Sequence, residues 1–137
     1  MAGIDRARLG KDHPIYAGTL TALAVVLTER GDWPAADSLL RTALAIRESR
    51  LGRRHLLVAK TLRRHAQLRA RERRFEAAET ILHRALAIVS SQLPPDSPDV
   101  RQIHASLADV YEGWGRTPDA ERHRRLAEIA SGDSVSR

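Results

Sequence analysis

Apolar residues fall along this chain in stripes of helical period, interrupted at short intervals by glycine, proline and acidic or hydroxyl residues. Leu20, Leu23, Ala24 and Leu27 recur at i, i+3, i+4 and i+7, which predicts a helix from Pro14 to about Arg30 with one apolar face. Pro14 suits its first turn, where the N–H that proline lacks has no partner to lose. Gly31-Asp32 breaks the stripe, Asp32 is placed to cap the next helix, and Pro34 lies in that helix's first turn. Ala36, Leu39, Leu40, Ala43 and Ile46 then mark a single face from Trp33 to about Arg50, and Gly52 follows as a C-terminal stop. The same reading predicts helices over Leu56–Glu72 and Arg74–Val89, from Ser97-Pro98 to Tyr111 or Glu112, and from Pro118 onward. Arg73 takes the place of Gly31 in the second turn. If that position is left-handed, a side chain there costs about 1–2 kcal/mol.

These stripes are copies of one another. Residues 51–88, slid back by 42 positions, land on residues 9–46 without a gap, matching Gly52 to Gly10, Thr61-Leu62 to Thr19-Leu20, Ala66 to Ala24, Phe75 to Trp33 and Ala85-Leu86-Ala87-Ile88 to Ala43-Leu44-Ala45-Ile46. Slid forward, Ala66, Leu68, Ala78 and Ala85 meet Ala108, Val110, Ala120 and Ala127. A fixed period of this length predicts an all-α solenoid of about three antiparallel helix pairs. Residues 1–13 read as the tail of an incomplete upstream repeat, residues 14–130 as the solenoid with pairs at about 14–50, 56–89 and 98–130, and residues 131–137 as a disordered tail. The final helix replaces Leu40 and Leu44 by Arg124 and Glu128, the wetted face of a terminal repeat. At the other end the 14–30 helix keeps an uncovered apolar face, from which self-association or docking of upstream repeats is expected.

Composition narrows the chemistry. Hydrophobic residues make up 42% of the chain but aromatics only 4%, so the core is built from Leu, Ala, Ile and Val. The absence of cysteine removes disulfides, thiolate zinc sites and cysteine nucleophiles together. No apolar run suits a signal peptide or a membrane span, so the expected location is cytoplasmic, with no membrane partner. The net charge of +6 is uneven: residues 50–74 hold ten Arg or Lys against Glu72 alone, a local +9 that leaves the rest of the chain at −3.

The motifs His13-Pro14, Ala17, Thr19-Leu20, Leu23-Ala24, Gly31, Trp33, Ala36, Leu40, Ala43-Leu44-Ala45-Ile46 and Leu51-Gly52 resemble the tetratricopeptide repeat, in its 42-residue kinesin-light-chain-like variety. The resemblance covers about residues 4–130. It implies a right-handed α-solenoid acting as a non-catalytic protein–protein interaction scaffold, whose first helices line a concave groove. Carried over by position, that groove takes Thr21, Ala22, Val25 and Thr28 from the first repeat. The second supplies Lys60, Arg63, Arg64, Gln67 and Arg71, and the third Gln102, Ser106, Asp109 and Glu112. His65 and Arg69 depart from the pattern, standing where Leu23 and Leu27 are apolar. The ending VYEGWGRTPDAERHRRL is more loosely similar to the repeat arrays of bacterial eukaryote-like serine/threonine kinases, which implies a regulatory or docking segment.

Lys60, Arg63, Arg64, Gln67 and Arg71 share a helix face by spacing alone. Guanidinium groups gathered in a groove suit a carboxylate, hence an acidic peptide or a carboxyl terminus; the alternative is a solvated basic face. Nucleic acid competes for the same cations, against the shortage of aromatics for stacking and the lack of a reader motif. The six histidines show no metal-ligand spacing, the serines no nucleophile motif and the glycines no phosphate loop. No enzyme, metal or cofactor is therefore expected. His13 and His55 recur at helix starts and read as structural. His104 and His123 read as packed or half-exposed, and Trp33, Phe75, Tyr111 and Trp114 as anchors near the turns.

Overall fold

The computed structural model describes the backbone of residues 14–135 and the side chains of residues 15–128. The repeat tail expected over residues 1–13, His13 included, lies outside the described residues. Among the described residues six helices follow in order: α1 (Pro14–Glu29), α2 (Trp33–Leu51), α3 (Leu56–Arg71), α4 (Phe75–Ser90), α5 (Pro98–Gly113) and α6 (Thr117–Val135). Each odd helix packs antiparallel on its successor, and the three hairpins stack so that α2 covers α3 and α4 covers α5. Among the described residues there is no strand, and the architecture is the all-α solenoid expected from the 42-residue period.

The repeated small residues permit the close approach within each hairpin. Ala17, Ala24, Ala36 and Ala43 in the first pair, and Ala59, Ala66, Ala78 and Ala85 in the second, have no exposed surface. The main core joins the second and third pairs, with Val58, Leu62, Leu82, Val89, Val100, Ile103, Leu107 and Val110 in one cluster. Smaller clusters hold the first pair, one of them bridging Leu40 to Leu68 across the stack.

Helix starts use different devices. The His55 ring caps α3, its Nδ1 accepting from the Leu57 N–H at 3.0 Å. Ser97 caps α5 by accepting from Val100 N–H at 3.4 Å. Asp32 stands at the start of α2 but makes no side-chain cap bond, contrary to expectation. Pro34 explains this, because it removes one of the first-turn donors a cap would serve. At the far end α6 continues to Val135, so residues 131–135, expected as tail, carry helical backbone. Gly132 costs only about 1 kcal/mol in a helix, which weakens that turn without forbidding it.

Two departures from the repeat pattern resolve into one polar cluster. His65 and Arg69 both reach Asp37 on α2, at 2.9 and 2.6 Å, and Arg69 also bonds Glu72 at 3.0 Å. Burial pushes the Asp37 carboxyl up, but hydrogen bonds from His65 and Arg69 and the charges of Arg69 and Arg41 outweigh it, leaving the pKa lowered. Burial lowers the His65 pKa against the pull of Asp37, so a neutral ring donates its Nε2–H to Oδ1. A second inter-repeat pin is Arg47 of α2. It is buried and donates to the Leu57 carbonyl at 3.3 Å and the Thr61 hydroxyl at 2.8 Å on α3.

The turn positions repeat as well. Gly31, Arg73 and Gly115 lie 42 residues apart and all have positive φ, 86°, 62° and 83°. Arg73 is the one side chain forced into that region among the described residues, and its guanidinium sits 5.3 Å over the Phe75 ring. Relief of about 1–2 kcal/mol of left-handed strain exceeds an exposed cation–π contact of about 0.5–1 kcal/mol. Arg73→Gly is therefore expected to raise the thermal midpoint by a few degrees, measured by circular dichroism; a lower midpoint would refute the strain. Asp37→Ala strands two buried donors and is expected to cost about 3 kcal/mol in urea unfolding. Replacing Asp37, His65 and Arg69 together by Ala, Leu and Leu should recover most of that loss, since no buried polar group is then left unpaired.

Candidate functional site

The odd helices α1, α3 and α5 run side by side, so residues at equivalent repeat positions form columns across them. Val25, Gln67 and Asp109 make one column, Ala22, Arg64 and Ser106 another, and Thr28, Ala70 and Glu112 a third. Thr21 and Thr28 are buried and turn their hydroxyls onto the Ala17 and Ala24 carbonyls at 2.8 Å, leaving methyl groups for packing. A cavity of about 300 Å³ opens along these columns, bounded by Val25, Thr28, Glu29, Arg64, Gln67, Arg71, Ser106 and Asp109 over an apolar floor of Leu40, Ala70, Leu82 and Val110.

Of the thirteen groove residues anticipated from the sequence, Val25, Thr28, Arg64, Gln67, Arg71, Ser106 and Asp109 thus line one cavity, and Thr21, Ala22 and Glu112 do not border it. Lys60, Arg63 and Gln102 also lie outside it. They border a separate shallow depression nearer the helix starts, beside Leu56 and Asp99. Burial lowers the Arg63 pKa, reinforced by neighbouring Arg64 and opposed by Asp99.

The local +9 does not form one basic face. Arg69 is spent on Asp37 and Glu72, Arg54 donates to Ser91 at 2.8 Å, and Arg73 lies over Phe75. Within the cavity Arg71 is held by Glu29 at 2.8 Å. Arg64 donates to the Gln67 amide oxygen at 3.1 Å and, among the described residues, forms no ion pair. Partial burial raises the Asp109 pKa, with Glu112 adding to the shift and Arg124 opposing it; Arg124 is itself bonded to Glu112 at 2.6 Å. The cavity therefore presents one available guanidinium beside an amide, flanked by the Glu29–Arg71 pair on one side and Asp109 on the other.

Glu29 is the lining residue that the sequence reading passed over. Its signal was there: Glu29 and Arg71 stand 42 residues apart, so opposite charges at equivalent positions meet on adjacent helices. The floor leucines belong to the even helices and show only in three dimensions.

The histidines form no group of three with other metal-ligating side chains among the described residues. His104 and His123 instead pair, Nδ1 to Nδ1 at 3.0 Å, with rings stacked on each other and His123 also stacked on Tyr111. The Tyr111 hydroxyl donates to Glu79 of α4, and Tyr111 and Phe75 both stack on Trp114, under Arg116. Trp33 closes the first turn by donating to the Thr28 carbonyl at 3.2 Å. Trp33, Phe75, Tyr111 and Trp114 are packing anchors, as the sequence implied, whereas Tyr16 is exposed.

Burial, with His104 and Arg122 nearby, lowers the His123 pKa from 6.5 to about 4. A folded pKa below the unfolded one means the unfolded chain binds more protons at low pH. Stability is thus intact above pH 6.5 and falls as pH drops towards 4, by about 3 kcal/mol at the lower limit. Urea titrations across that window should show the loss, and His123→Gln should flatten it; an unchanged slope in the variant would assign the effect elsewhere.

Against known proteins, two models of the tetratricopeptide repeat match the chain, one over residues 17–57 and one over residues 57–127, the latter more than half its length. Its fold is similar to that of BtubC (BKLC) from P. vanneervenii, with a TM-score of 0.81 and 21% identity over 96% of this chain and 53% of that one. It is similar also to a kinesin-light-chain protein of Podosopora anserina with nearly identical TPR-like repeats, with a TM-score of 0.78 and 19% identity over 93% and 60% of the two chains. The chain spans a little over half the length of these structures. No curated protein sequence matches it.

Proposed function

Because the chain belongs to the tetratricopeptide-repeat family, whose repeats are protein–protein interaction scaffolds, we propose that it is a non-catalytic scaffold holding an acidic segment of a partner in its concave groove. The observation that carries this reading is Arg64: a half-buried guanidinium over an apolar floor, hydrogen-bonded to Gln67 and lacking a carboxylate among the described residues. A carboxylate entering the cavity meets a planar donor fork able to bind it bidentately. Lys60 and Arg63 extend the positive surface toward the helix starts. Glu29 and Arg71 neutralise each other on one flank and Asp109 repels an acidic chain from the other, which favours a single carboxylate, of a side chain or a chain terminus, over an acidic run.

The distribution of the arginines supports a protein partner over nucleic acid. Phosphate backbones are gripped by cations set along a continuous track, and here the cations of the middle repeat are dispersed into ion pairs, a cation–π contact and two separate depressions. A kinase-linked docking role, suggested by the chain's ending, has no contact in the fold that favours it. No helix among the described residues is long and apolar enough to cross a membrane.

The test is capture of partners from native cell extract on the immobilised protein, with and without nuclease, comparing it with the Arg63→Glu/Arg64→Glu variant. Reversing the charge at Arg64 removes a charge-assisted contact of about 2–3 kcal/mol, a loss of roughly 30-fold to 150-fold in affinity. Protein bands lost in the variant and indifferent to nuclease are expected, with helical circular dichroism unchanged. Retention of the same partners by the variant would place the site elsewhere, and bands lost with nuclease would turn the reading to nucleic acid.

A further inference from the structure

The cavity holds two charged groups that nothing of opposite sign answers, and they stand on different helices. Arg64 projects from α3 and Asp109 from α5; both border the cavity, yet they are not bonded to each other. Among the described residues Asp109 makes no hydrogen bond and no ion pair. Arg124, whose charge acts on it, is bonded instead to Glu112 at 2.6 Å. Partial burial raises the Asp109 pKa, so its carboxylate has lost water without gaining a donor. On the other side of Arg64 the charges satisfy each other, Glu29 holding Arg71 at 2.8 Å. The unmet charge of the groove is therefore ordered: positive over α3, negative over α5 and balanced towards α1.

Neutral polar groups lie between the two. The Gln67 amide oxygen accepts from Arg64 at 3.1 Å, which leaves its NH2 to donate. Ser106 is buried yet borders the cavity, and among the described residues its hydroxyl makes no hydrogen bond. The Thr28 hydroxyl, by contrast, turns away onto the Ala24 carbonyl. Both unengaged groups suit the peptide units of a chain crossing from α3 to α5. Beneath them the floor of Leu82 and Val110 takes an apolar side chain. α3 and α5 are in contact, and packed helix axes lie about 8–10 Å apart. An extended chain covers that distance in about three residues.

We propose that the segment held in the groove carries both signs of charge: an acidic residue over Arg64, a lysine or arginine about three residues away over Asp109, and an apolar residue between them. This partner class rests on the groove reading and adds the second charge to it. A run of acidic residues satisfies Arg64 but sets another carboxylate against Asp109, where like charges repel. Asp109 stands at the exposed rim of the cavity, so it selects among carboxylate-bearing partners and leaves the anchoring to Arg64.

The test is a phage-displayed library of short random peptides between neutral linkers, selected on the full chain and in parallel on Arg64→Gln and Asp109→Asn. Asn and Gln preserve the shape of the side chains they replace, and helical circular dichroism is expected unchanged. The native chain is expected to enrich an acidic and a basic residue about three positions apart. Asp109→Asn should keep the acidic preference and lose the basic one, whereas Arg64→Gln should lose the acidic one. An enriched peptide, synthesised with blocked ends, is then titrated by fluorescence anisotropy. Replacing its basic residue by glutamine should weaken binding to the native chain about three- to tenfold and leave binding to Asp109→Asn unchanged. Asp109→Lys should reverse the preference, favouring glutamate at that peptide position. Enrichment of acidic residues alone, indifferent to Asp109→Asn, would overturn the mixed-charge partner and leave the acidic-groove reading standing. No enrichment, or enrichment that Arg64→Gln does not alter, would overturn both.

Discussion

The structure depends on one packing event, repeated: the second helix of a hairpin lies across the first helix of the next. Within a hairpin two helices bury only one stripe each, and helices of 16–19 residues are marginal without that burial and more. The cross-stack contact buries the second stripe of α3 and of α5 and turns three hairpins into one body with a shared core. It also fixes spacing, because the covering leucines and the covered apolar residues must stay in register through every turn. The 42-residue period is the record of that requirement in the chain. So is Arg73, held in a left-handed turn that glycine fills in the other two repeats.

The same interface tolerates polar residues when they arrive as complete sets. Asp37, His65 and Arg69 interrupt an apolar stripe, and His65 alone would be a largely buried group without a partner. Together they close a hydrogen-bonded cluster between the first and second repeats. Arg47 with Thr61 and Glu79 with Tyr111 follow the same logic at neighbouring sites. Such sets contribute little net stability against an apolar equivalent, yet they discriminate strongly against a mismatched neighbour. Each junction consequently carries its own signature, α2 fitting α3 and α4 fitting α5.

The groove inherits its character from what the stacking interfaces leave over. The even helices provide its floor through Leu40 and Leu82, and the odd helices provide polar columns above it. Most charges of the middle repeat are consumed by structure or by each other, and Arg64 keeps its donor fork at the centre. A site that is mostly apolar, with one oriented charged group, binds by shape and by one directional contact.

Periodicity alone fixed the helix order, the turn positions and the burial of Ala24, Ala66 and Ala108, because a gapless repeat forces equivalent residues into equivalent surroundings; which columns face a groove was implied only by the resemblance to the tetratricopeptide repeat. Charge was not legible in this way. Ten basic residues in sequence read as one face, but side chains four to six bonds long reach partners on other helices, and those partners, Asp37 for Arg69 and Glu29 for Arg71, are distant in the chain. Leu23 shows the same limit in apolar form. Its spacing matches the hairpin stripe, and only the stacking direction of the solenoid decides that it faces outward, 48% exposed. Sequence determined which residues are equivalent; tertiary structure decided which of them meet, since contact depends on the neighbour that packs across the stack.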